Sequence, residues 1–321
     1  MRFLRTLAGT ALLFLFGYCA EAAQAFPTNQ ENPMKEVAVP FESAKAMNYL
    51  KSLCDIGPRI SGSEGMKKQK ALIRKHFEDC GAKVLEQNFQ AVPRSTGRPV
   101  AMTNLVISWH PESRNRVIFC SHFDTRPFAD QETDPKKRKG EFVSANDGGS
   151  GVALLMELGR HMKKVPCGYG VDFVFFDGEE YILDQGDEYF FGSKHFAREA
   201  KKQPAVKYHG AILLDMVGGK EASFPIEQNS WIRAGRLVES VWAVANSLGA
   251  KQFKSTEFSK VAVEDDHIPL NNAGIPAIDI IDFDYKHWHK LSDTPDNCSG
   301  ETLATVAKVL STWLQRLGPP P

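Results

Sequence analysis

Four short apolar runs restrict the fold of this chain more than any other feature. Residues 117–120 (Val-Ile-Phe-Cys), 171–176 (Val-Asp-Phe-Val-Phe-Phe), 211–214 (Ala-Ile-Leu-Leu) and 277–281 (Ala-Ile-Asp-Ile-Ile) are almost continuously apolar. A strand with one wet face alternates apolar and polar residues, whereas a near-continuous run needs cover on both faces. Around these runs, residues 41–53, 63–81, 151–164, 231–248 and 301–317 read as helices. In the second of them Met66, Leu72, Ile73 and Phe77 recur at helical spacing, and Gly81 is a stop signal. Apolar strands alternating with helices predict an α/β fold of three layers, α/β/α, around a mostly parallel mixed central sheet.

The 321 residues show no internal repeat, low-complexity tract or dividing linker, so residues 41–321 are expected to form one catalytic-sized domain. Two segments precede it. Arg2 and Arg5, the apolar stretch 7–18 and the small residues ending Ala23-Gln24-Ala25 follow the order of a secretory signal. Residues 1–25 are therefore expected to be a signal peptide and 26–40 an N-terminal extension, with the protein exported to the periplasm or secreted. The apolar stretch is too short for a stable membrane span. Tyr18 argues against a lipoprotein anchor at Cys19, where a small residue would precede the cysteine. The five remaining cysteines are odd in number, so at least one stays unpaired within the chain. A net charge of zero gives no basis for a nucleic-acid or anionic-membrane partner. The basic run Lys136-Lys137-Arg138-Lys139 reads as a solvated loop. Nothing in the sequence sets the oligomeric state.

The chemistry begins where the run 171–176 ends, in Asp177-Gly178-Glu179-Glu180. Carboxylates at the end of a buried strand are costly unless a metal or a reacting proton neutralises them. Adjacent strand-end residues also point different ways, so one acid can hold a metal while the other faces a substrate. Alone, the pair reads as an exposed acidic loop. It is not alone. In open α/β sheets ligands bind beyond the carboxyl ends of the strands. The first run leads into His122 and Asp124, the third into Asp215, and the last towards Trp288-His289. A Gly-rich turn before a helix carries Asp147. Each has an ordinary use: a strand-end pair, a turn residue, a partly buried histidine, a helix cap. Together, imidazoles and carboxylates at one end of a sheet suit zinc with an open coordination position.

The motifs His122-Phe123-Asp124-Thr125, Asn146-Asp147-Gly148-Gly149-Ser150-Gly151, Phe176-Asp177-Gly178-Glu179-Glu180, Leu214-Asp215-Met216-Val217-Gly218, Asp265-Asp266-His267-Ile268-Pro269 and Trp288-His289 agree in order and spacing with one family. The series resembles the zinc-exopeptidase superfamily and, within it, the glutaminyl-peptide cyclotransferases, above all the bacterial ones. Three features favour that branch: the acidic pair Asp265-Asp266, Trp288 before the ligand-like His289, and the long segment 181–191. Animal cyclases carry a tryptophan in the loop after the paired glutamates; this chain has Asp184-Gln185-Gly186-Asp187 there.

The resemblance implies a zinc-exopeptidase-like fold and cyclisation of an N-terminal glutamine to pyroglutamate with release of ammonia, on peptide or protein substrates with a free N-terminus. It implies one Zn²⁺ on Asp147, Glu180 and His289, with Glu179 as the proton shuttle. Asp215 and Asp265 would steady the reacting protons, and Trp288 would wall the substrate pocket. His122 and Asp124 would support the metal site or belong to a second metal. That last option keeps a rival open: an aminopeptidase with two co-catalytic zinc ions, in which Asp147 bridges the metals.

Overall fold

The computed structural model describes residues 36–320. The expected signal sequence and residues 26–35 of the extension lie outside the described residues. In chain order the elements are α1 (Ser43–Cys54), α2 (Glu64–Asp79), β1 (Lys83–Ala91), β2 (Val100–Trp109), β3 (Asn115–His122), α3 (Ser150–Gly159), β4 (Gly170–Phe176), α4 (Phe191–Lys201), β5 (Lys207–Asp215), β6 (Phe224–Ile226), α5 (Gln228–Ser247), β7 (Phe253–Phe258), α6 (His267–Asn272), β8 (Ala277–Ile281) and α7 (Gly300–Arg316). Side-chain caps mark several starts: Ser63 accepts from the Met66 N–H before α2, and Ser299 accepts from the Thr302 N–H before α7.

The main sheet runs β1-β2-β4-β3-β5-β8. Its β4, β3, β5 and β8 are parallel neighbours, and these are the four apolar runs. The two strands on the β4 side, β2 and β1, pair antiparallel, so the sheet is mixed and mostly buried. Period-two geometry divides each central strand between two cores. Val117, Phe119, Val171, Phe173 and Phe175 face a core shared with α1, α2, α3, α5 and α7. Ile118, Cys120, Val174 and Phe176 face a second core with Phe196 of α4 and Leu270 of α6. This is the three-layer arrangement expected from the continuous runs. The polar member of the run 171–176, Asp172, is buried against Arg116 at 2.7 Å.

All five cysteines among the described residues are free thiols. Glu36 and Val37, at the end of the extension, bond to Arg316 and Gln315 of α7. No helix among the described residues is long and apolar enough to cross a membrane.

Candidate metal and catalytic site

The parallel strands deliver their acids and imidazoles to one end of the sheet. His122 ends β3 and Asp215 ends β5, while Glu179 and Glu180 follow β4 directly. Asp147 arrives from the turn before α3. That turn is held by the carboxylate of Asp293, which accepts from the N–H groups of Asn146 at 2.9 Å and Asp147 at 3.1 Å. Asn146 in turn accepts from the Gly218 N–H at 2.7 Å, fastening the turn to the end of β5. Gly148 is required here. It has φ +68°, and a Cβ at this position would lie 2.5 Å from the Asp124 carbonyl oxygen. Ser144, Met216 and His289 also adopt positive φ, a local strain that collects at functional sites.

The adjacent glutamates diverge. Glu180 Oε2 lies 2.9 Å from His289 Nε2, whereas Glu179 Oε2 faces His122 Nδ1 at 3.8 Å. Their backbone is set by Asp124, whose two oxygens accept from the Glu179 N–H at 3.0 Å and the Glu180 N–H at 3.2 Å. Asp124 thus supports the glutamate pair. His122 does touch Asp147, at 3.1 Å, and also Asp215, at 3.4 Å.

Three overlapping groups bring donor atoms within 4.8 Å of one another: Asp147 with Glu180 and His289, His122 with Asp147 and Asp215, and His122 with Glu179 and Glu180. The first fits a zinc-type cation well. Asp147 Oδ2 is buried without a hydrogen bond, with only His289 Nε2 at 3.4 Å. On the far side of that ring, Nδ1 is engaged by Asp130 Oδ1 at 2.8 Å, which fixes the ring and leaves Nε2 for a metal.

The electrostatics point the same way. Burial alone would lower the His289 pKa, yet Glu180, Asp130 and Asp147 push it up to about 12. Burial raises Asp147, but His122 and His289 override it and hold that carboxyl below its usual range. Glu179 is driven well above the carboxylate range by burial and by the charges of Asp265, Glu180 and Asp266, with His122 opposing. Asp265 is raised by burial and by Asp215 and Asp266. Asp215 is raised by burial, against the pull of His122. The cluster holds more buried acid than its two imidazoles neutralise, a deficit that a divalent cation would make good.

Above the donors opens a cavity of about 440 Å³. Val263, Ile281, Phe283 and Trp288 line it together with Tyr189 and Phe190, and Glu179, Asp215 and Asp265 also reach it. Trp288 lies over His289 with ring centroids 4.1 Å apart. In the loop that departs from the animal pattern, Gln185 and Tyr189 contribute to the cavity. The Asp187 carboxylate pins this loop by accepting from the N–H groups of Ser95 at 2.7 Å, Leu183 at 3.0 Å and Asp184 at 3.2 Å.

Three supporting residues escaped the sequence reading. Neither Asp130 nor Asp293 lies in any of the motifs above. Asp279 had a signal, being an acid inside the run 277–281. It is fully buried on β8, and burial together with the charges of Asp265 and Asp215 holds its carboxyl well above the usual range. Neither of its carboxylate oxygens has a hydrogen-bond partner.

With this geometry in hand, the relatives can be compared. The model of peptidase family M28 matches residues 104–314. Among solved structures, glutaminyl cyclase from Fimbriiglobus ruber is 50% identical, with a TM-score of 0.85 over 89% of this chain and 100% of that one. A Zn-dependent exopeptidase from Parabacteroides distasonis is 32% identical, with a TM-score of 0.80 over 86% of this chain and 99% of that one. Among curated proteins, glutaminyl-peptide cyclotransferase of Bothrops jararaca is 24% identical over 290 residues, 80% of this chain and 76% of the relative. The chain belongs to peptidase family M28 and, within it, to the glutaminyl cyclases.

Proposed function

We propose that the protein is a zinc-dependent glutaminyl-peptide cyclotransferase, which closes an N-terminal glutamine into pyroglutamate and releases ammonia. The activity rests on 50% identity across the full length of a glutaminyl cyclase. The assignment of roles rests on the divergence of the two glutamates, one towards His289 and one towards His122. Export of the enzyme to the periplasm or medium rests on the residues before Phe26 alone.

Asp147, Glu180 and His289 would hold one zinc ion. Bound there, zinc would act as a Lewis acid that makes the side-chain carboxamide carbon of the substrate more electrophilic. The chain's own residues do the rest. Glu179 takes a proton from the attacking α-amine as the new C–N bond forms, and returns it to the amide nitrogen that leaves as ammonia. A carboxyl whose pKa is raised by burial and neighbouring acids suits both halves of that transfer. Asp265 and Asp215 accept hydrogen bonds from the amine and the departing nitrogen. Trp288 confines the glutamine side chain to a ring-closing pose, an orientation effect that removes entropy before reaction.

One observation favours a second reading. His122, Asp147 and Asp215 form a second donor group, as a two-zinc aminopeptidase would require. A substrate pair separates the two. Glutamine-initiated peptides should yield ammonia and a peptide of full residue count, and leucine-initiated peptides should remain intact. Release of free leucine, with two zinc ions per chain, would replace the cyclase reading by the hydrolase.

A further inference from the structure

Exposed apolar side chains are unevenly distributed on this surface. Phe283, 37% exposed, stands on the rim of the cavity. Trp231, Phe258 and Val261 gather nearby at 40%, 50% and 49% exposure, and Ile232 follows Trp231 along α5 at 76%. Together these five make up most of the nine large apolar side chains exposed among the described residues. Single exposed apolar residues need no explanation, but a contiguous group beside a cavity does.

Measured contacts join this group to the cavity. The Trp231 and Phe258 rings meet edge to face with centroids 5.8 Å apart. Gln228 Nε2, at the start of α5, donates to the Ser259 carbonyl at 2.7 Å, closing the α5 start onto the end of β7. Asn229 Nδ2 donates to the carbonyl of cavity-lining Val263 at 2.8 Å. Lys260 Nζ pairs with Asp284 at 2.7 Å, which brings the Val261 segment beside the loop that carries Phe283. The result is an apolar strip leading from the cavity mouth to the first turns of α5. Gln131 and Gln185, also at the cavity, offer polar groups instead.

The reaction itself supplies an occupant. A cavity of about 440 Å³ takes the first residue of a peptide, and every later residue has to leave across the rim. Three extended residues span about 10 Å, and the Asn229 bond to the Val263 carbonyl sets Trp231, two residues further along α5, beside the cavity edge. We propose that the strip receives residues three to five of the substrate chain and favours apolar side chains there. The proposal rests on the cyclase reading.

The test compares three substrates: Gln-Ala-amide, which ends before the strip, Gln-Ala-Leu-Phe-Leu-amide and Gln-Ala-Ser-Asn-Ser-amide. Covering part of one or two apolar side chains corresponds to a gain in kcat/KM of about fivefold to tenfold for the apolar pentapeptide over the other two. The double variant Phe258→Ser/Val261→Ser should abolish that gain. Equal kcat/KM for all three substrates with the wild type overturns the proposal, as does a gain that survives the double variant. A dimer that dissociates in the double variant also overturns it, because the strip would then be a subunit contact. Failure of the wild type to release ammonia from Gln-Ala-amide strikes the cyclase reading instead, so the two failures are distinguishable.

Discussion

Removing the Asp130 carboxylate should loosen zinc without touching a proposed zinc ligand. In the structure it does two things. Oδ1 engages His289 Nδ1 at 2.8 Å, and Oδ2 pairs with Arg126 Nη2 at 2.9 Å. Arg126 matters because its backbone N–H donates to Glu180 Oε1 at 2.9 Å. One substitution, Asp130→Ala, therefore releases the ring of one metal donor and the support of another. Loss of a single outer partner typically weakens metal binding by about 10–100-fold, or about 1.4–2.8 kcal/mol. With two donors affected, the expectation is near the upper end, about 100-fold. Asp130→Asn keeps an oxygen that can accept from Nδ1 but loses the charge, so it should fall between, at about tenfold. Competition with a chromogenic chelator at fixed pH measures the zinc Kd directly. Asp134→Ala, on the same exposed loop, is the control. A zinc Kd for Asp130→Ala within about twofold of wild type, in a folded protein, would refute the reasoning.

Three further outcomes follow from the same geometry. Glu179→Gln should keep zinc yet lose about 10²–10⁴-fold in kcat, whereas Glu180→Ala should lose zinc first; equal zinc loss in both would dissolve the division of labour. Because His289 stays protonated up to about 12 in the metal-free protein, zinc must expel that proton. Apparent zinc affinity should therefore rise with pH, about tenfold per unit between pH 7 and 9, and a flat profile would contradict the charge arrangement. Asp172→Ala strands the Arg116 guanidinium, whose Nε and Nη2 lie 2.8 and 2.7 Å from that carboxylate in a buried site. Breaking such a pair costs about 3–5 kcal/mol, a fall in Tm of about 6–20 °C by calorimetry with zinc held constant.

The four parallel strands were legible because burial on both faces leaves few polar positions in the run, Asp172 and Asp279 being the exceptions. The antiparallel pair was not, for a physical reason: β1 is an edge strand with alternating exposure, and β2 interrupts its apolar residues with Thr103, Asn104 and Ser108. Two of those polar residues serve the site. The Thr103 N–H donates to Asp177 at 2.8 Å, and Asn104 Oδ1 accepts from the Asp177 N–H at 3.1 Å, steadying the turn that presents the glutamates. Helix α4 hid for a different reason. It starts after Phe190 in the left-handed region, with no side-chain cap to announce it. At the site itself, His122, Asp215 and the paired glutamates stood out as an imidazole and acids at strand ends, whereas Asp147 and Asp265 come from turns that lead into α3 and α6. Their supports did not stand out, because Asp130 and Asp293 meet partners 159 and 146 residues away. Asp279 lies between these cases. A lone acid in an apolar strand announces that something must share its charge, but the identity of the sharer depends on β5 and β8 lying side by side. That adjacency puts Asp279 near Asp215, whose charge adds to burial and to the charge of Asp265 in holding the Asp279 carboxyl well above its usual range.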